Sequence, residues 1–287
     1  MPGYHLPFFS AVASGLFADH GLDVEILDPP PGPDMNISHR VAAGGADFSL
    51  TGVTYHLFAH RDAGSLRARF VSVLQPRAGL AAVVPASSAL HTPEDLAGRR
   101  LARSKAAWLA DECIAALRED GIEAPTPVPA PDGPAAALAA GAADMVATFV
   151  DTVGVAGRAG FPVRPIHVGR EIYGSGLIAG DGVSGELVSR VVRAVAEAFD
   201  RQRADPAAGV AEFCARFPFV EPFRAARSWA ELEPYAFDDG PTGSMTASRW
   251  QRTVEWLGGV HGLDIRSIDE IVRTDLCRRP QPSANLH

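Results

Sequence analysis

Short strands alternating with helices predict an α/β protein, and two further features predict that it is built as two lobes. At 287 residues the chain is too long for one simple layer. After the strand GLAAVV the strand–helix alternation starts afresh, and after GSGLIAG it gives way to helix.

The elements follow in order. Residues 7–20 place Phe8, Val12 and Leu16 on one helical stripe, with Gly21 as the stop. In LDVEIL, Leu22, Val24 and Ile26 alternate as in a strand, and DPPPGPDM reads as a surface loop. Asn36 caps a short helix ending near Gly44 and Gly45, and the strand DFSLTG runs directly into a helix at about Val53. ARFVSVL and GLAAVV are the next strands. In HTPEDLAG, Thr92 is an N-cap, Pro93 takes the first helical position and Asp95 is placed as in a capping box. RRLAR is a strand. Ser104 opens a helix that stops near Gly121, and Asp132 caps one ending at Gly141, before the strand DMVATFV. Residues 185–287 are mostly helical, with Asp205–Pro206 and Thr246 as start signals.

Composition narrows the function. With 47% hydrophobic and 21% charged residues, the chain is an ordinary soluble globular type. The net charge of −8 is spread along the sequence, which argues against a nucleic-acid binder or a cationic membrane-surface protein. Lys105 is the only lysine. Cys113, Cys214 and Cys277 lie far apart, with neither metal-ligand spacing nor a disulfide framework, and the first two fall on apolar helical positions as buried thiols. No apolar run has the length of a membrane span. His56 and His60 stand four apart on a helix and can face one metal, but no third ligand or nearby Glu completes a motif. GSGLIAG has the wrong glycine interval for a dinucleotide site, and no serine elbow or matched triad is readable.

Five segments in order, HLPFFSAVASGLFADHGLDVEI, VAAGGADFSLTG, HTPEDLAGRRLA, IYGSGLIAGD and SMTASRWQRTVEWLGGVHGLD, resemble the substrate-binding proteins of nitrate, sulfonate, taurine and thiamine-pyrimidine importers. The last is similar to the closing helix of the thiamine-precursor branch. The resemblance implies a type II periplasmic-binding-protein fold: two lobes, a hinge and a central cleft. Residues 1–80 and 177–287 would form lobe one and residues 81–176 an inserted lobe two. It further implies a solute-binding protein, not an enzyme and without a cofactor, that works as a monomer with the permease subunit of an ABC transporter. The ligand would be a small heterocycle or a sulfonate. The alternative is an enzyme on the same fold, such as the fungal thiamine-pyrimidine synthase; its cysteine-rich iron motif is absent, and the single lysine stands in the second lobe rather than the first.

Candidate ligand residues sit where loops and helix starts would line that cleft. Thr51, Gly52 and Thr54 mark one strand-to-helix junction; Ser104, Lys105 and Trp108 mark another. Gly52 admits backbone close to a ligand, hydroxyls exchange hydrogen bonds, and Lys105 suits an anion. Thr51 and Ser104 are equally readable as plain helix caps. Tyr4 and His5 supply an aromatic wall and a ring nitrogen. Asp151 can pair with an amine or aminopyrimidine edge or simply cap a helix, and Tyr173 either closes the cleft from the hinge side or is an exposed loop residue. In the family a first strand precedes the loop resembling PGYHLPFF, so that strand is expected to be missing here. An upstream coding segment would restore it together with an export signal, giving a periplasmic or extracellular, membrane-tethered protein. Met1 as the true start would give a cytoplasmic one.

Overall fold

The computed structural model describes residues 3–27, 37–104, 108–150 and 152–277. A 3-10 turn at Gly3–His5 leads into α1 (Leu6–Ala13) and α2 (Leu16–Asp19), followed by α3 (Ile37–Ala42), β1 (Phe48–Gly52), α4 (Val53–Ala63) and β2 (Ala68–Gln75). Next come β3 (Leu80–Pro85), a 3-10 turn at Pro93–Leu96, β4 (Arg100–Arg103), α5 (Trp108–Glu119), β5 (Thr126–Pro129), α6 (Pro134–Ala139), β6 (Met145–Phe149), α7 (Thr152–Ala159) and β7 (Val163–His167). Then follow β8 (Ser175–Gly180), the helices α8 (Gly185–Ala204), α9 (Pro206–Arg216), α10 (Pro222–Ala236) and α11 (Ala247–His261), and 3-10 turns at Ile268–Glu270 and Thr274–Leu276.

The strands form two sheets, a three-stranded one in the order β1-β8-β2 and a five-stranded one in the order β5-β4-β6-β3-β7. In the first, β8 runs antiparallel to both neighbours, with Leu50 opposite Leu177 and Phe70 opposite Ile178. In the second, β4 pairs parallel with β5 and β6, while β3 runs antiparallel to β6 and β7. Each sheet is covered on both faces. Along β8, Leu177 and Ala179 point into a core shared with α1, α8, α9 and α10, whereas Ile178 points into one shared with α4 and α11. The five-stranded sheet packs Leu80, Ala82, Leu101 and Met145 against α5, and Val83, Ala102 and Val146 against α6 and α7.

Two crossovers link the sheets, residues 76–79 and 168–174, and they lie side by side. Ala78 N–H donates to the Ile172 carbonyl at 2.8 Å, Gly174 N–H to the Gln75 carbonyl at 2.9 Å, and Val168 N–H to the Leu80 carbonyl at 3.0 Å. A Cβ on Gly169 would stand 2.3 Å from the Ala78 oxygen, so the approach requires glycine.

Most expected elements are present, and the exceptions have physical causes. The first helix is broken at Ser14–Gly15, where Gly15 is left-handed (φ 76°). The break turns the face: Leu6, Ala11, Leu16 and Phe17 are buried, while Val12 is 43% exposed and Phe8 half-buried. Residues 22–27 form no strand, because among the described residues nothing pairs with them, and a strand without a ladder partner leaves its backbone to water. Gly133, not Asp132, stands at the N-cap of α6. The Thr92–Asp95 capping box is present, as are side-chain caps from Asp205 and Thr246. Asn36 lies outside the described residues. Among these residues no helix is long and apolar enough to cross a membrane.

Candidate functional site

The site is built from two strand-to-helix junctions, one on each sheet. On the first, β1 passes into α4 with no intervening loop. The Val53 N–H donates to the Gly174 carbonyl at 2.9 Å, which ties the start of α4 to a crossover. Gly52 stands opposite Ser175 in the ladder, and a Cβ there would come within 3.4 Å of the Tyr55 ring. Thr51 is buried, its hydroxyl 3.4 Å from the Gly52 carbonyl. On the second sheet, β4 ends at Arg103, half-buried Ser104 follows, and α5 is described from Trp108 onward.

Rings from both sides meet at these junctions. Trp108 lies 4.9 Å from Tyr55 and 6.3 Å from Phe58, both on α4, and 5.7 Å from Phe149 at the end of β6. A cluster of this kind offers the apolar, aromatic surface on which a flat or apolar solute can pack. Tyr55 is half-exposed, and burial of the remainder raises its phenol pKa. Beneath the rings the Thr54 hydroxyl donates to Glu112 Oε1 at 2.9 Å, and His261 Nε2 lies 3.0 Å from the same oxygen.

Of the sequence-based set, Thr54 and Trp108 make contacts between the two junctions, while Thr51 and Gly52 stand at the end of β1 and Ser104 follows β4. Tyr4 and His5 belong to the 3-10 turn before α1: their rings are 4.7 Å apart, Tyr4 packs on the core formed with α1, α8 and α10, and the turn is clamped so that a Cβ on Gly3 would stand 2.5 Å from the Ser228 oxygen. Tyr173 is not an exposed loop residue. It is buried against Trp250 at 5.0 Å, beneath the Arg249 guanidinium, and its hydroxyl accepts the Thr246 N–H at 2.9 Å. It borders a cavity of about 440 Å³ with Arg77, Glu171, Asp238 and Arg249, which shares no junction residue. Lys105 and Asp151 lie outside the described residues.

Sequence reasoning missed Tyr55, Phe58, Phe149, Glu112 and His261. One signal was available for Glu112: it follows Trp108 by four residues on the amphipathic α5, a carboxylate one turn on along the face that carries the tryptophan. The possible histidine metal pair dissolves into separate bonds, His56 Nδ1 with Ser38 at 3.0 Å and His60 Nε2 with Glu270 at 3.0 Å, and no metal-binding cluster exists among the described residues. Cys113 is buried in α5 and its thiol is pushed up to about 12 by that burial.

The profile of the NMT1/THI5-like family matches residues 3–208, well over half of the chain. The chain belongs to this family. Among curated proteins no match is found. Among solved structures, this NMT1/THI5-like chain is similar to the alkanesulfonate-binding protein SsuA from Xanthomonas axonopodis pv. citri bound to MOPS, at 19% identity over 94% of this chain and 95% of that one, TM-score 0.67. The periplasmic aliphatic sulphonate binding protein SsuA from Escherichia coli matches at 17% identity over 96% and 91%, TM-score 0.69. A mutant of DszB in complex with biphenyl-2-sulfinic acid matches at 17% identity over 94% and 92%, TM-score 0.62. At these identities the similarity establishes the fold, that of the periplasmic binding proteins.

Proposed function

We propose that this member of the NMT1/THI5-like family is a solute-binding protein of an ABC importer, closing two lobes around a small organic molecule. The lobes are the three-stranded sheet with its helices, which ends at Gln75 and resumes at Ser175, and the five-stranded insert, Leu80–His167, with the crossovers 76–79 and 168–174 between them. The observation that carries the reading is the meeting of the two junctions, where rings from α4, α5 and β6 form a shared wall beside helix starts. Such a wall suits a solute with a flat or apolar body and a polar head, and an alkyl- or arylsulfonate is the first choice. The SsuA proteins are named for such compounds, and the sequence carries a cation, Lys105, directly after Ser104. A thiamine-precursor pyrimidine is the second choice, because the rings serve a flat heterocycle equally and Asp151 offers it a carboxylate.

Two of the thiols are not set up for nucleophilic attack. Burial raises the pKa of both Cys113 and Cys277, the opposite of what a cysteine nucleophile needs. The protein would work outside the cytoplasmic membrane, with the importer's permease as partner. Native mass spectrometry of freshly purified protein, followed by thermal-shift screening with MOPS, taurine and 4-amino-5-hydroxymethyl-2-methylpyrimidine, tests the solute. A stabilising sulfonate that also lowers the radius of gyration in small-angle scattering supports the first choice. Stabilisation by the pyrimidine alone replaces it with the second. Conversion of a bound compound to product rejects the binding-protein reading.

A further inference from the structure

Glu112 is a buried carboxylate held by residues from the other side of the molecule. It belongs to α5, which packs on β3, β4 and β6 of the five-stranded sheet. Its partners belong to helices of the three-stranded side: Thr54 in the first turn of α4 and His261 at the end of α11. The Glu112 side chain is 3% exposed and that of His261 6%, and both bonds converge on Oε1. A carboxylate so placed is costly unless its hydrogen bonds are made, and these two are made only while the two sides touch.

A second contact along the same helix lies nearer the crossovers. Glu119 accepts the indole N–H of Trp256 at 2.7 Å and pairs at 3.2 Å with Arg170, which sits in the crossover 168–174; Asp120 pairs with Arg170 at 2.7 Å. Seven residues of helix, about 10 Å, separate Glu119 from Glu112. One end of α5 is therefore tied beside the pivot, and Glu112 is gripped at a distance from it. A rotation about the crossovers leaves the Glu119 contact nearly in place and pulls Glu112 away from Thr54 and His261.

We infer that Glu112 is the closure contact of this protein, a positioning residue that holds the two sides together and so sets the ring wall of Trp108 against Tyr55. The inference rests on the reading of the two sheets as moving lobes. When Glu112 swings clear, Thr54 and His261 are released with it, and the wall comes apart.

The test needs no solute. Glu112→Gln, His261→Gln and the double variant are compared with the unaltered chain by small-angle scattering, by acrylamide quenching of tryptophan fluorescence and by far-ultraviolet circular dichroism. Each single variant is expected to raise the radius of gyration by about 1 Å and to increase quenching, with the dichroism unchanged. The double variant is expected to do no more than Glu112→Gln alone, because that variant already weakens the bond that His261→Gln removes. Single variants as compact as the unaltered chain would overturn the inference, as would a double variant whose expansion is the sum of the two. Thr54→Val, which removes one hydroxyl, carries the same comparison if Glu112→Gln fails to fold. A negative result here leaves the solute screen untouched, and a negative screen leaves this comparison intact.

Discussion

His56 is a histidine that cannot take up a proton and stay where it is. Its ring is fully buried on α4, bonded to Ser38 and packed 4.9 Å from Phe70. Burial, with smaller contributions from the charges of His60 and His39, lowers its pKa to about 3. The unfolded chain titrates near the ordinary value of about 6.5. With the folded pKa depressed, the native state is favoured fully above about pH 6.5, and this stability is lost as pH falls from there toward 3. The slope reaches about 1.4 kcal/mol per pH unit, so moving from pH 7 to pH 5 costs about 2 kcal/mol through this residue. Urea titrations at the two pH values should show that difference shrinking by about 2 kcal/mol in His56→Asn; an unchanged difference would assign the acid sensitivity to other groups. At this scale the site was half legible. Thr51, Gly52 and Thr54 announce a junction because hydroxyls and glycine follow a strand. Glu112 offers only its place one turn after Trp108 and His261 nothing, because their contact spans 149 residues and no local spacing encodes it.

Among elements, the misses share a cause. β5 (TPVP) and β7 (VRPIH) both contain proline, which removes a ladder donor and weakens a strand reading, yet both lie at the edges of the five-stranded sheet, where proline is tolerated. Edge position is a tertiary property, and the segment cannot declare it. The inverse error is residues 22–27, whose alternation is strand-like and whose pairing is absent among the described residues. Helix starts were read best, since a cap is a local event. Ser184 illustrates the energetics: its hydroxyl accepts the Leu187 N–H at 3.2 Å and opens the 20-residue α8. Ser184→Ala is expected to lower the unfolding free energy by about 1 kcal/mol, measured as a shift in urea midpoint at constant slope. A drop much above 2 kcal/mol would mean the serine does more than cap.

The described residues form two sheets joined by two crossovers, and the restart of the sequence pattern at GLAAVV coincides with the first strand of the second sheet. What the sequence could not convey is how the sides meet, since the Thr54–Glu112 contact joins positions 58 residues apart and Trp256 touches the cores of both sides. The solute-driven compaction proposed above belongs to this scale, because it would require both sides to move as bodies.

The place of β8 also governs the order in which the chain acquires structure. β1 and β2 do not pair with each other; each pairs with β8, which begins at Ser175, 100 residues after β2 ends at Gln75. At the usual pace of synthesis a ribosome needs roughly 5–20 s to cover that interval. All five strands of the other sheet are made within it. The insert is therefore expected to fold on the nascent chain while β1 and β2 wait with open edges, the period when a chaperone is most needed. Chains stalled after β7 has left the exit tunnel, but before β8 has, should resist protease across residues 80–167 and be cut within 48–75. Cleavage spread evenly over both regions would show that the two sheets form together.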